Sequence, residues 1–148
     1  MIKYNYYLLA IVTSTLFFSC NMHEGGVRVS NDMEKYAFEY INDNHLLNDD
    51  EKLMAYYDNT IACDGTDAII LTDLRLIHHN KQTKNTSVNL EEITKINHRY
   101  ESLIGDVIEV YISDGSIFKI EIAPLNNGET FLKVLNSARD IINEKATF

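Results

Sequence analysis

The sequence predicts an α+β domain: seven short antiparallel strands in a small barrel or sandwich, closed by a C-terminal helix and preceded by an extra N-terminal helix. Three observations carry this. Between residues 52 and 122, short stretches rich in β-branched and aromatic residues alternate with turn residues. From Glu129 to Asn143, apolar residues recur at three- and four-residue steps. A shorter stretch with the same helical spacing runs from Asn31 to Leu47.

The chain opens with one lysine, Lys3, then an uncharged apolar run from Tyr6 to Phe18, then the small residue Ser19 before Cys20. This is the layout of a secretory signal peptide. As a helix the run would span about 20 Å, short of the ~30 Å hydrocarbon core, so a removable signal is expected over a permanent span. The polar stretch 20–31, with Gly25-Gly26, is expected to be a flexible tether. The expected organisation is therefore a signal at 1–19, a tether at 20–31 and one domain at 32–148.

In the first helix Met33, Tyr36, Ala37, Tyr40, Ile41 and Asn44 share a face, and Asn31 with Glu34 is expected to form a capping box. Asn48-Asp49-Asp50-Glu51 reads as a solvated break. The seven strands expected are Lys52–Asp58, Ala68–Thr72, Leu74–His79, Thr86–Asn89, Thr94–Tyr100, Val107–Ile112 and Ser116–Ile122. The last two form the clearest hairpin. A two-residue Asp114-Gly115 loop would set their apolar rows on opposite faces. A three-residue Ser113-Asp114-Gly115 loop, with Gly115 left-handed, restores the match. Val110 then faces Phe118, Ile108 faces Ile120, and Glu109 faces Lys119 as an opposite-charge pair. In the closing helix Phe131, Val134, Leu135, Ala138, Ile141 and Ile142 form one stripe, with Asn126 and Glu129 as a second expected capping box. The open end of the barrel is the surface expected to receive it.

The 148 residues suit a single domain, and the formal charge is −9. Of the basic residues only Lys3 lies in the segment to be removed, while every acid stays, so the mature chain is acidic. Such a surface repels phosphate backbones and anionic headgroups, which argues against nucleic acid and against membrane binding through a basic patch.

A search for chemistry finds little. His78 and His79 are adjacent in a strand, so they point to opposite faces and do not chelate one ion together. None of the five histidines falls in a zinc-ligand spacing, so no metal is expected; His78 or His98 beside an aspartate is the weaker reading. No nucleophile elbow and no phosphate-cradling glycine loop occurs, so neither a catalytic residue nor a cofactor is expected. Glu91-Glu92 reads as a turn before a strand. Adjacent Tyr56 and Tyr57 must face opposite ways, and core packing is expected for most of the tyrosines. Cys63, just before a turn, is expected to be buried.

Two resemblances extend this reading. Leu16-Phe17-Phe18-Ser19-Cys20 resembles the lipobox of bacterial lipoprotein signal peptides. Phe17 and Phe18 depart from the commoner Leu and small residue, and match the aromatic variant of Bacteroidetes-type lipoproteins. The resemblance implies cleavage before Cys20 and a diacylglyceryl group on its sulfur. Two acyl chains hold a protein at a bilayer stably where one does so only marginally. Asn21 after the cysteine implies outer-membrane sorting.

The second resemblance is to bacterial domains of the pleckstrin-homology superfold, which share seven strands followed by one helix. Asp50-Glu51-Lys52-Leu53 resembles their opening, Leu71-Thr72-Asp73-Leu74-Arg75-Leu76 their strand-turn-strand signature, and Leu90-Glu91-Glu92-Ile93-Thr94-Lys95-Ile96 their step into the fifth strand. It covers about Glu51 to Asn143. Asp73 is expected to stabilise the tight turn and Arg75 to pair with a nearby carboxylate. Phosphoinositide-binding members carry several Lys or Arg between the first two strands. Here Asn59–Asp67 carries none, so such a ligand is not expected. The fold does not name a function. The expectation is a membrane-anchored envelope lipoprotein acting as a protein- or peptide-binding module. The alternatives are a structural or immunity-type inhibitory lipoprotein and, behind it, an enzyme with an unpatterned site.

Overall fold

The computed structural model describes residues 25–145. In chain order these form β1 (Val27–Val29), α1 (Lys35–Asp43), β2 (Leu53–Asp58), β3 (Asp67–Thr72), β4 (Arg75–Asn80), β5 (Thr86–Asn89), β6 (Ile93–Glu101), β7 (Gly105–Ile112), β8 (Ile117–Ile122) and α2 (Gly128–Lys145). Strands β1 to β5 lie side by side in one antiparallel sheet, and β6 to β8 make a second.

All seven expected strands form, with bounds shifted by a residue or two. The eighth, β1, is a correction: it falls in the stretch expected to be tether. Val27 and Val29 flank Arg28 and pair with Tyr57 and Ala55 of β2. The Val27 N–H also donates to the Asn126 carbonyl at 2.9 Å. Residues 55–58 of β2 are buried, and without a neighbour the strand's outer edge would leave backbone N–H and C=O groups unpaired there, which β1 satisfies. Three residues are too few for period-2 alternation to register in the sequence.

The two sheets and α2 enclose the main core, where Tyr57, Leu71 and Leu76 meet Ile108, Ile120, Phe131 and Leu135. A second core lies on the outer face of the first sheet. There α1 lays Ala37 and Ile41 over Tyr56, Ile70 and Ile77, and Leu46 closes it. Covering both faces explains why Ala68–Thr72 is buried throughout, and why adjacent Tyr56 and Tyr57 are both buried although they point oppositely.

The hairpin follows the expected register: Val110 pairs with Phe118, Ile108 with Ile120 and Glu109 with Lys119. Gly115 sits at φ +89°, and its N–H donates to the Ile112 carbonyl at 3.0 Å. Glu109 and Lys119 face each other as expected and attract through space, but each makes its direct ion pair elsewhere. Glu109 accepts from Arg99 on β6 and from the Tyr111 hydroxyl at 3.2 Å, while Lys119 pairs with Glu121 along its own strand. A guanidinium on the other neighbouring strand offers directed donors that the lysine does not.

Both helix starts also depart from expectation. Asn31 lies in a 3-10 turn, Ser30–Asp32, and α1 starts three residues later, after Glu34. The Glu34 carboxylate is held by Arg28 Nη2 at 3.0 Å and Nε at 3.2 Å, so it is engaged with β1 instead of closing a capping box. Helix α1 stops at Asp43, short of Leu47. His45 turns left-handed at φ 50°, and the Leu46 N–H reaches back to the Ile41 carbonyl at 3.1 Å. At α2, Asn126 sends its side-chain amide to the Tyr57 hydroxyl at 3.4 Å, and the Asn127 carbonyl instead receives Thr130 N–H at 2.9 Å. Gly128 opens the helix because the Asp106 side chain occupies the space that a Cβ there would need. A carboxylate over a helix N-terminus complements the helix dipole.

Candidate functional site

Each sheet has two edge strands, β1 and β5 in the first and β6 and β8 in the second, and β5 and β8 are the two that flank a common opening. Between them opens a cleft of about 520 Å³, lined by Thr86, Ser87 and Val88 from β5 and by Ile117, Phe118 and Lys119 from β8. Among the described residues no strand pairs with the outer edge of either. An unpaired edge presents N–H and C=O groups at strand spacing, so an extended chain laid here can hydrogen-bond to the backbone. Val88 and Phe118 supply a buried apolar floor, while Ile117 is 52% exposed at the rim. Glu92, Asp114 and Lys119 bring charges of both signs to its lining, together with His78. The Ser116 hydroxyl and N–H, at 2.6 and 2.8 Å, hold the Asp114 carboxyl below its usual range, so it stays ionised. The arrangement can hold and orient an extended segment through backbone bonds, an apolar contact and flanking charges.

A scan against protein-family models finds no match, and neither does a search of curated proteins. Among solved structures the chain is similar to a DUF1696 family protein with a pleckstrin-homology domain from Shewanella loihica PV-4. The TM-score is 0.57 at 17% identity, covering 78% of this chain and 99% of that one. The fold is a bacterial PH-like one. At that identity the likeness speaks for architecture alone. The domain has eight strands where seven were expected, in sheets of five and three, with β1 and α1 preceding β2 and with α2 closing the chain.

Within the PH-like domain, the polar residues singled out in the sequence fall into separate clusters. Arg75 meets its carboxylate in Glu51, through Nε to Oε1 and Nη2 to Oε2 at 2.8 Å, and Nη2 also reaches the Leu46 carbonyl at 3.3 Å. The Glu51 side chain is only 1% exposed, so the expected solvated turn at 48–51 is corrected at its last residue. Burial pushes the Glu51 carboxyl up, but Arg75 and the Asn48 N–H outweigh it and the net direction is down. The tight turn after β3 is tied by Thr72, not by Asp73. Thr72 Oγ1 accepts from Leu74 and Arg75 N–H at 3.1 and 2.9 Å. Asp73 accepts from the Lys52 N–H at 2.8 Å and so fastens the turn to the start of β2.

The histidines divide as the strand pleat requires. His79 faces α1, with Nε2 3.1 Å from the Tyr40 hydroxyl and Nδ1 2.9 Å from Asn85 Oδ1. A ring carrying its hydrogen on Nδ1 satisfies both. His78 faces the cleft and meets Asp67 at 3.0 Å, and His98 meets Asp106 at 2.7 Å. Among the described residues no three His, Cys, Asp or Glu side chains gather as metal ligands.

The loop after β2, which in phosphoinositide binders is basic, is organised here by a buried acid. Asp58 Oδ1 accepts from Thr60 N–H and Oγ1 at 2.9 and 2.6 Å. Oδ2 accepts from Gly65 N–H at 2.7 Å and from Tyr56 and Tyr36 at 3.2 and 3.4 Å. Burial, and then the Asp58 carboxylate, push both phenols well above their usual range. Cys63 is buried in the same loop as expected, and burial raises its thiol.

Cys20, the lipidation site implied by the lipobox, lies outside the described residues. Sequence reasoning missed the cleft residues. The available signal was β8 itself, where Ile117 is apolar on the face opposite Phe118, Ile120 and Ile122. No helix among the described residues is long and apolar enough to cross a membrane.

Proposed function

We propose that this chain is a lipoprotein of the bacterial envelope, held in the outer membrane through acylated Cys20. Its PH-like domain binds an extended protein or peptide segment in the β5–β8 cleft. The observation that carries the binding half is the facing pair of unpaired strand edges over an apolar floor of Val88 and Phe118. Strand addition draws affinity from main-chain hydrogen bonds and specificity from alternate side chains seated in the groove. The acidic charge and the loop Asn59–Asp67, which lacks Lys and Arg, favour such a partner over nucleic acid or phosphoinositide. The anchor half is supported by the signal-like segment 1–19 and the residues before Cys20.

Each half has its own test. Mass spectrometry of the mature N-terminus should find two or more acyl chains on Cys20, and Cys20→Ala should leave the membrane fraction. An unacylated N-terminus refutes the anchor. For the cleft, a photo-crosslinking residue at Ile117 should capture a defined partner in intact cells, while one at exposed Lys133 on α2 should not. Equal capture from both positions, or none from Ile117, refutes the site.

A further inference from the structure

Three loops meet where the chain enters the domain. A Cβ on Gly25 would lie 3.9 Å from Cys63 Sγ in the loop 59–66, and one on Gly26 would lie 3.5 Å from the Asn126 carbonyl in the loop 123–127. Gly105, which ends the turn 102–104, lies against the backbone of Ile122, Ala123 and Pro124. These three loops carry the most exposed large apolar side chains: Ile61 at 106%, Leu103 at 95% and Leu125 at 95%, with no other described residue of that kind above 59%. The next, Tyr100, shares a shallow hollow with Leu125. Leu125 holds φ 71°, a left-handed backbone that disfavours a leucine and presents its side chain fully to solvent. Single exposed apolar residues are ordinary, but the three extreme ones on three adjoining loops mark a contact surface.

We propose that this face rests on a zwitterionic bilayer surface, with Ile61, Leu103 and Leu125 seated at the boundary between headgroups and acyl chains. The proposal rests on the anchoring of Cys20. Only four residues separate Cys20 from Gly25, so an extended connection spans at most about 17 Å. An anchored domain therefore brings this face to the bilayer first. Asp64 lies in these loops with no Lys or Arg beside it in any of the three, and Glu101 and Glu129 flank them, Glu101 being paired with Arg99; the net acidity sets the headgroup preference, since it is repelled by an anionic surface. The acyl chains supply retention and the loop tips supply orientation.

The chain contains no tryptophan, so single-tryptophan variants report depth without background. The mature acylated protein carrying Leu103→Trp, Leu125→Trp or Ile141→Trp would be reconstituted into phosphatidylcholine–phosphatidylethanolamine vesicles with brominated acyl chains. Ile141 is the control: it is 48% exposed on α2 and lies roughly 20 Å along the helix from Gly128. Leu103→Trp and Leu125→Trp should be quenched several times more strongly than Ile141→Trp, and less strongly when phosphatidylglycerol is added. Vesicles that carry the protein on flotation but show equal quenching at all three positions overturn the face and leave the anchor standing. Stronger quenching with phosphatidylglycerol overturns the zwitterionic preference. Protein that does not float overturns the anchor and the face together.

Discussion

Removing either partner of the Glu51–Arg75 pair should destabilise the domain by about 3 kcal/mol, the lower end of the range for a broken buried ion pair. The geometry sets that figure. Glu51 is 1% exposed and accepts two bonds from Arg75 and one, at 2.8 Å, from the Asn48 N–H. Arg75→Met leaves the carboxylate buried with no cation, held only by the Asn48 N–H and the Thr72 side chain. The Arg75 side chain is 22% exposed, so water reaches the vacated space and the loss stays at the low end. For a domain of this size roughly 3 kcal/mol lowers Tm by about 10 °C. The assay is a double-mutant cycle of Glu51→Gln, Arg75→Met and both together, followed by urea unfolding. Double loss should fall short of the summed single losses by on the order of 2 kcal/mol. The same pair predicts a pH response. The folded Glu51 carboxyl lies below its ordinary value, so its stabilisation is complete above the unfolded value near 4.5 and is lost as pH falls through the lower folded one. Wild type should lose this increment on acidification and Glu51→Gln should not. Additive single losses, or an unchanged acid slope in Glu51→Gln, refute the reasoning.

Three further perturbations follow from the same geometry. Gly65→Ala, at φ +78° with the Tyr40 ring where the methyl would go, should cost about 2 kcal/mol or more by thermal denaturation. A variant as stable as wild type would mean that the loop after β2 repacks freely. Thr72→Val keeps the shape but removes an oxygen that two backbone N–H groups use, so a loss of roughly 2 kcal/mol is expected from urea titration. Phe131→Ala empties a site that is 0% exposed where α2 meets both sheets, and should cost about 3–5 kcal/mol in the same titration; a loss under 1 kcal/mol contradicts the packing described.

Local chemistry was legible in the sequence. The seven strands, the closing helix and the register of the last hairpin follow from two periodicities and one loop length, because side-chain alternation allows only one match of Ile108 and Val110 with Ile120 and Phe118. Left-handed Gly115 follows from that loop. So does the separation of His78 from His79, since neighbouring residues of a strand cannot share a face.

Competition between partners was decided only by the tertiary structure. Glu34 could cap α1 or bind Arg28, and the arrival of β1 beside it settled the matter. Asn126 could cap α2 or reach Tyr57, and the turn out of β8 set it beside the phenol. Glu109 had Lys119 opposite it in register, but Arg99 on the other neighbour took its carboxylate. The second core was equally hidden, because nothing local to α1 says which face of a five-stranded sheet it covers. The cleft exists because β5 and β8 end their sheets unpaired, a property of strand order. Periodicity and turn chemistry act over a few neighbouring residues and can be read along the chain. Which distant donor reaches which acceptor, and which edge stays open, depends on contacts that only the closed fold creates.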